Sequence, residues 1–523
     1  MGSDRMEIEM NSSHSKRWLF GLFRWAAIGL VMFLVFYNLG NYPLIWFDEG
    51  SHLHVPKTLI EFGKYADQSS EGFRYYGPTV GVGPTVMLPI AAVFSVFKVG
   101  LLQARLVMAV YLLVTIIVFF QFAKLLGGTR VAWVATALVV TSQGIALLEY
   151  GRQVLGEVPG MLFILLALWL WFAKLEKPSL GWLALVGLLA GLAMVTKNQY
   201  LIVIAPTLAV GWLLNLVYYR AVRSWYFIVP AVIAGVVYAL WQVYLVLYLG
   251  GSTAAENLRD LRIATSGAAF VFAPSLMKRS LGELLSLKVY LGWLVPILIY
   301  GISLCLPRHK EGMKWGILLS LVGVNLVWYV VASVSWLRYA FPALVITSVF
   351  VARFFEDVTG KFDINWRVFW QAMQGKHVEL GTQALRATAA IWLLAMVSIP
   401  LLQSLAHVIS PPFNSPIVMA RYMDDNIPKD ALIETWEPEM GFLTDHNYHY
   451  PPQILLDTAV GFIWRGGPAP SEKYDFVAQS KPEYVLVGQF ATWVQMYPDQ
   501  LLENGYTFIY ENGAYRLYLK KSN

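Results

Sequence analysis

Cysteine and charge are both scarce in this chain. Of 523 residues only Cys305 is a cysteine, and it sits in an apolar run. No disulfide can therefore form within the chain, and the thiol reads as a small buried hydrophobe. Charged residues make up 14%, against roughly 25% in a soluble globular domain, too few to cover a molecule of this size with a water-facing shell. Apolar side chains fill the gap: 57% of residues are hydrophobic and 15% aromatic, with a mean hydropathy of +0.54. The net charge of +6 is spread between the apolar runs rather than gathered in a stripe, so it is not a nucleic-acid footprint.

Runs of about 17 to 25 apolar residues recur, the length that crosses roughly 30 Å of hydrocarbon as a helix. They predict an α-helical polytopic membrane protein of about eleven spans. The spans fall near 25–46, 104–123, 131–149, 156–173, 180–196, 200–218, 225–249, 287–306, 315–334, 337–353 and 387–409. The first follows Lys16, Arg17 and Arg24 without a small-residue cleavage site, which predicts an uncleaved span. One set of alternate connections holds Lys124 and Arg130, Lys174 and Lys177, Arg220 and Arg223, then Arg308, Lys310 and Lys314. Arg353, Lys361, Arg367, Lys376 and Arg386 belong to the same set, whereas the opposite short connections offer little beyond Arg152, Lys197 and Arg338. Positive charge marks the cytoplasmic side. The N-terminus is thus expected inside and, after an odd number of spans, the tail outside a plasma or inner membrane.

Three segments are expected on that outer side. The first is a long loop, 47–103; the second, 250–286, holds Glu256, Arg259, Asp260 and Arg262. The third is the tail, 411–523, after a membrane part of residues 1–410. Strand-like runs "ALIETW" and "PEYVLVG", and a hairpin signal at Asn512–Gly513, predict a small α/β domain there. Within the first loop, "HLHVPKTLIEFGKY" has near-helical apolar spacing at Leu53, Leu59, Ile60 and Phe62 and could lie flat on the membrane. The run "GPTVMLPIAAVFSVFKVG" is short and contains Pro84 and Pro89, so it too is expected at the interface.

Ionisable groups at membrane depth are functional candidates. Asp48 and Glu49 follow the first span directly. A half-shielded carboxylate there could act as a general base; a solvated pair at a helix end is the plainer alternative. Glu157 opens a predicted helix, where it could serve as a cap or hold a catalytic partner or substrate hydroxyl. Lys197 and Arg338 fall at outer span ends and could snorkel; together with the carboxylates, and with Glu149 and Arg152 nearby in sequence, they could bind an anionic phosphate. His52 and His54 lie beside Asp48 and Glu49, a spacing that permits but does not diagnose a divalent cation. His446 and His449 in "TDHNYHYPP" are expected in a surface loop rather than a metal site.

The ordered set "DEG" (Asp48, Glu49), "GPTVMLP", "RQVLGEVPG" (Arg152, Glu157), "GLAMVTKNQ" (Lys197) and "WLRYAFPAL" (Arg338, Tyr339) resembles the GT-C superfamily of membrane glycosyltransferases. Within it, the protein O-mannosyltransferase and aminoarabinose-transferase-like branch is nearest. The resemblance runs through most of the membrane part. It implies transfer of one sugar from a polyprenyl-phosphate donor to an acceptor at the outer face, the acceptor being a lipid, glycan or protein. Asp48 would be the base of an inverting displacement, with Glu49 beside it and Glu157 as a second acidic residue. Lys197 and Arg338, with Arg152 or Arg74, would bind the donor phosphate, and His52, His54 and Tyr339 would line the substrate pocket. A divalent cation, if one is used, would lie on Asp48 and Glu157.

The chain departs from that branch where Gly83–Pro84 replaces a Lys-Pro pattern, so the phosphate contact must come from elsewhere. The tail extension "ETWEPEMGFLTDHNYHYPP" takes no role from the resemblance. A transporter or flippase and a non-catalytic envelope assembly protein are the rival readings. The grouping of ionisable residues at one outer edge, without an evident repeat between halves, is unlike a transporter.

Overall fold

The computed structural model describes residues 21–74, 82–253, 255, 270–364, 370, 371, 374, 381–452 and 454–521. The second-loop charges Glu256, Arg259, Asp260 and Arg262, and the cytoplasmic candidates Lys16, Arg17, Arg367 and Lys376, lie outside the described residues.

Lipid leaves a spanning backbone no partner but itself, and the apolar runs are accordingly helices. They are α1 (Gly21–Phe36), α2 (Phe47–Phe62), α3 (Pro84–Phe97), α4 (Leu101–Thr141), α5 (Leu147–Arg152), α6 (Glu157–Ala173) and α7 (Leu180–Thr196). There follow α8 (Gln199–Leu214), α9 (Trp225–Leu249), α10 (Pro274–Leu284), α11 (Leu294–Cys305), α12 (Lys310–Ala332), α13 (Phe341–Val358) and α14 (Gly381–Ile409). Among the described residues five helices are long and apolar enough to cross a membrane, and α1, α3, α6, α7 and α11 are apolar but shorter. The chain is a multi-pass helical membrane protein whose core is one cluster running through α1, α4, α6, α7 and α11 to α13.

Several expected boundaries move. The runs near 104–123 and 131–149 are the two halves of α4, which meet at a kink at Gly128 inside the expected connection; its φ of +80° is open to glycine. The second run stops at Thr141, and its remainder forms the separate short α5. The run near 287–306 is helical only from Leu294, after an irregular turn at Tyr290–Gly292. Cys305 is half-buried and free.

The tail carries α15 (Ser415–Asn426), α16 (Pro438–Leu443), α17 (Leu455–Arg465), α18 (Phe476–Gln479), α19 (Gln489–Trp493) and α20 (Asp499–Gly505) around a sheet. After a small hairpin in the first loop, β1 (Asp67–Ser69) with β2 (Gly72–Arg74), the tail strands are β3 (Leu432–Thr435), β4 (Asn447–His449), β5 (Tyr484–Val487), β6 (Tyr506–Asn512) and β7 (Tyr515–Lys520). Their order is β4-β3-β5-β7-β6. The first three are parallel and the β6–β7 pair is an antiparallel hairpin, turning at Gly513 with φ +59°. "ALIETW" and "PEYVLVG" are thus β3 and β5.

The tail packs on the first loop. Helix α2 does not lie flat on lipid: Glu49, Gly50 and every residue from His52 to Thr58 are buried, including His54 and Lys57. It is clasped between the membrane part and α16. A Cβ at Gly50 would come 2.3 Å from the Glu439 backbone nitrogen, so only glycine lets α16 approach this closely. His54 Nε2 meets Pro438 O at 2.6 Å and Lys57 Nζ meets Asp445 Oδ1 at 2.7 Å. Nor is "TDHNYHYPP" a surface loop: His449 is buried in β4 with its Nδ1 2.5 Å from Glu434 Oε2. The parallel pairing of β4 with β3 draws it inward.

Candidate functional site

Four charged side chains, taken from four separate stretches of sequence, converge at one end of the membrane helices. Asp48 stands in the first turn of α2, after an extended Trp46. Glu157 opens α6, Lys197 closes α7 as its C-cap, and Arg338 sits in a single 3-10 turn, Leu337–Ala340, leading into α13. Glycines bring the helix ends together. A Cβ on Gly156 would meet the Lys197 side chain at 3.1 Å, one on Gly160 would enter the Tyr200 ring, and one on Gly83 would strike the Val195 carbonyl at 1.9 Å. Gly83 N donates to Thr196 O at 2.9 Å. Gly83, of the Gly83–Pro84 pair, is therefore needed for α3 to meet the end of α7.

Arg338 Nη2 lies 2.5 Å from Asp48 Oδ2, and its Nε lies 3.9 Å from Glu157 Oε1. Lys197 Nζ is paired to that same Glu157 oxygen. Glu157 Oε2 and Arg338 Nε are buried without a hydrogen-bond partner, so the cluster has hydrogen-bonding capacity left to offer. Trp46 and Trp336 flank the guanidinium, which lies 5.6 and 4.8 Å from their ring centroids. Burial alone would push the Asp48 carboxyl up, but Arg338 and then His52 outweigh it and hold it below the ordinary carboxylate value. His52 stands behind Asp48 with Nδ1 2.7 Å from Val154 O; burial keeps its pKa low against the pull of Asp48. Tyr339 stacks on Trp336, with its ring centroid 5.7 Å from Arg338 Cζ.

Other candidates are engaged elsewhere. Successive positions on a helix diverge by about 100°, and Glu49 points away from Asp48 into the protein. There Arg105 grips it through two bonds of 2.8 and 2.5 Å and Val154 N donates at 3.2 Å. Arg152 is buried and donates to the carbonyls of Leu34, Tyr37 and Tyr42; with its donors spent on backbone, it is a strut at the end of α1. Arg74 pairs with Asp67 at 2.7 Å and lies over the Tyr450 ring. His54 is held by the tail, and burial pushes its pKa down to about 4. Among the described residues no group of three or more His, Cys, Asp or Glu is arranged to hold a metal ion; Asp48 and Glu157 both face Arg338.

A cavity of about 480 Å³ opens beside Arg338 and is closed on its far side by the tail. Trp46, Phe47, Glu149 and Trp336 line it from the membrane part, and Glu437, Glu439, Phe490, Trp493 and Tyr515 from the tail. The tail's share was not foreseeable from local pattern, because Glu437 and Glu439 lie about 390 residues from Asp48 and carry no spacing that marks a site.

The fold, a helical membrane part with a long first loop and a mixed α/β tail, has counterparts among known proteins. The family described as dolichyl-phosphate-mannose-protein mannosyltransferase matches residues 82–244. Among solved structures, the chain is similar to ArnT from Cupriavidus metallidurans bound to undecaprenyl phosphate. The TM-score is 0.63 at 12% identity, covering 94% of this chain and 97% of that one. It is also similar to the archaeal oligosaccharyltransferase AglB from Archaeoglobus fulgidus in complex with an inhibitory peptide and a dolichol-phosphate. Here the TM-score is 0.56 at 13% identity, covering 97% and 74%. No curated protein sequence matches the chain significantly. The fold resemblance read from the motifs is thus met by the three-dimensional comparison over nearly the whole length.

Proposed function

We propose that this protein transfers a sugar from a polyprenyl-phosphate donor to an acceptor hydroxyl at the outer face of the membrane, by an inverting displacement with Asp48 as base. The observation that carries this reading is the sharing of Arg338 between Asp48 and Glu157, with Lys197 alongside. Two cations beside a carboxylate suit both halves of the reaction. The phosphate would be drawn to Lys197 and Arg338. Its arrival competes for the guanidinium and loosens the bond to Asp48, which is then free to accept the proton of the attacking hydroxyl. The hydroxyl oxygen bonds to the anomeric carbon from the face opposite the phosphate. The carbon–oxygen bond to the phosphate breaks, and its electron pair stays on the leaving oxygen, where the two cations stabilise the charge. The ligands of the similar proteins, undecaprenyl phosphate with ArnT and a dolichol-phosphate with AglB, support a carrier of this class.

Replacing Asp48 by Asn tests the assignment. Release of undecaprenyl phosphate from undecaprenyl-phosphate sugars should drop by roughly 100-fold or more, the usual weight of general-base catalysis, while binding of the bare carrier persists. A transporter or an assembly protein would be little affected by that exchange, so an unchanged variant would remove Asp48 as base.

A further inference from the structure

The tail segment Glu437-Pro438-Glu439 has no part in the reaction above, yet it forms the wall of the cavity away from the phosphate-binding cations. Glu437 and Glu439 are each 1% exposed. Glu437 Oε1 accepts from Ala491 N at 2.9 Å, and Glu439 Oε1 accepts from the Tyr515 hydroxyl at 2.6 Å. Glu439 Oε2 is buried and meets no donor other than the neighbouring Glu437 carboxyl. A Cβ at Gly488 would collide with the Glu437 side chain at 2.4 Å, so the backbone is shaped around this carboxyl. Burial, and then the charge of Glu439, drive the Glu437 carboxyl well up. The pair therefore resists holding two charges, and a proton kept on it sets a donor beside an acceptor.

The pair sits among aromatic faces. Phe490 stacks on Phe47 at 4.0 Å, and Trp336 stacks on Trp493 at 6.0 Å. Among the described residues the tail contributes no cation to the cavity. The tail wall thus offers an anion no countercharge. Flat apolar faces with hydrogen-bonding carboxyls at their edge suit a ring that is apolar on its faces and hydroxylated at its rim.

We propose that the tail wall of this cavity, with Glu437 and Glu439 backed by Phe490 and Trp493, is a recognition subsite for an uncharged, polyhydroxylated sugar ring and selects what reacts beside Asp48. The inference rests on the sugar-transfer reading and deepens it, since it gives the tail the selection and the membrane part the chemistry. The ring could belong to the donor's sugar or to a glycan acceptor, and the experiment separates these sources.

Full-length protein in nanodiscs is titrated with undecaprenyl phosphate, undecaprenyl-phosphate mannose and undecaprenyl-phosphate glucuronate. In a second arm, the complex with undecaprenyl phosphate is titrated with mannobiose and with glucuronate. If the ring is the donor's, the mannose-bearing carrier binds roughly ten-fold tighter than the bare one, a gain of one decade in Kd. If it is the acceptor's, the carrier complex takes up mannobiose. In either case the uronate probes gain nothing. The gain vanishes in Glu439→Gln and in Trp493→Ala, while affinity for bare undecaprenyl phosphate is kept. Trp493 is 43% exposed, so its truncation tests the wall without emptying the core. A neutral-sugar gain absent from both arms, retained in both variants, or matched by the uronates overturns the proposal. Failure of the wild type to bind undecaprenyl phosphate would instead overturn the transfer reading beneath it.

Discussion

Arg338 serves two carboxylates with one guanidinium, and that arrangement fixes how the site should respond to pH. Its charge outweighs burial at Asp48 and holds that carboxyl below its ordinary value. A depressed carboxyl stays ionised as pH falls into the normal carboxylate range, about 3.9 for aspartate. Its contribution to stability is complete above that value and is lost only as pH drops through the lower folded one. In Arg338→Gln burial acts unopposed by the guanidinium. The acid limb of donor turnover, followed as released undecaprenyl phosphate, should then move to higher pH, and affinity for the bare carrier should weaken. A limb that stays in place would show that Arg338 does not set the state of Asp48. At this scale the sequence was informative where a charge had no reason to be: Asp48, Glu157, Lys197 and Arg338 each stood at the end of an apolar run, and all four converge. It misled for Glu49 and Arg152. Adjacent helix positions face different ways, and the carbonyls that take up Arg152 come from α1 and the turn after it, more than 100 residues earlier.

Among the elements, α2 carries the most constraint, because one face bears Asp48 and another locks the fold. The Glu49–Arg105 pair is wholly buried, and removing one member strands the other's charge. Glu49→Gln should lower stability by about 3–5 kcal/mol, the usual result of breaking a buried pair. Thermal unfolding in detergent measures this, and a melting temperature equal to wild type would return Glu49 to the list of catalytic candidates. Gly50 is the second lock. In Gly50→Ala the added carbon meets the Glu439 backbone, and overpacking of this kind costs about 1–3 kcal/mol. The tail should then become sensitive to limited proteolysis near Pro438 while the membrane helices keep their protection. Unchanged digestion would show that α16 can retreat freely. Helix identity was legible for α2 and α3, but not how they pack. The apolar spacing that suggested a helix lying on lipid is equally satisfied by a protein partner, and nothing in residues 47–62 names that partner as residues 438–445.

For the whole molecule, lipid makes the sequence easy to read and water makes it hard. A spanning segment must be long, apolar and internally bonded, so the membrane part stood out from hydropathy, the break at Gly128 included, with errors at the ends of runs, as at Thr141 and Leu294. The tail's strands were visible singly, but the sheet order β4-β3-β5-β7-β6 depends on pairings between distant segments. Sidedness rests on the distribution of lysine and arginine and can be tested directly. In a Cys305→Ser background, a membrane-impermeant maleimide applied to intact cells should label Asp430→Cys, an exposed tail position, and not Arg308→Cys, exposed on the opposite side by charge count. The reverse pattern would place the reaction in the cytoplasm and undo the assignment of an outer-face acceptor.

Backbone meeting backbone at Gly50 also limits how such a protein can change over generations. A tail grafted from a distant cousin would arrive with its own contour at this seam, and the host's opening loop would not fit beneath it. The two pieces should therefore be inherited together, and a hybrid that carries loop and tail from one parent should mature where a hybrid that mixes them is degraded.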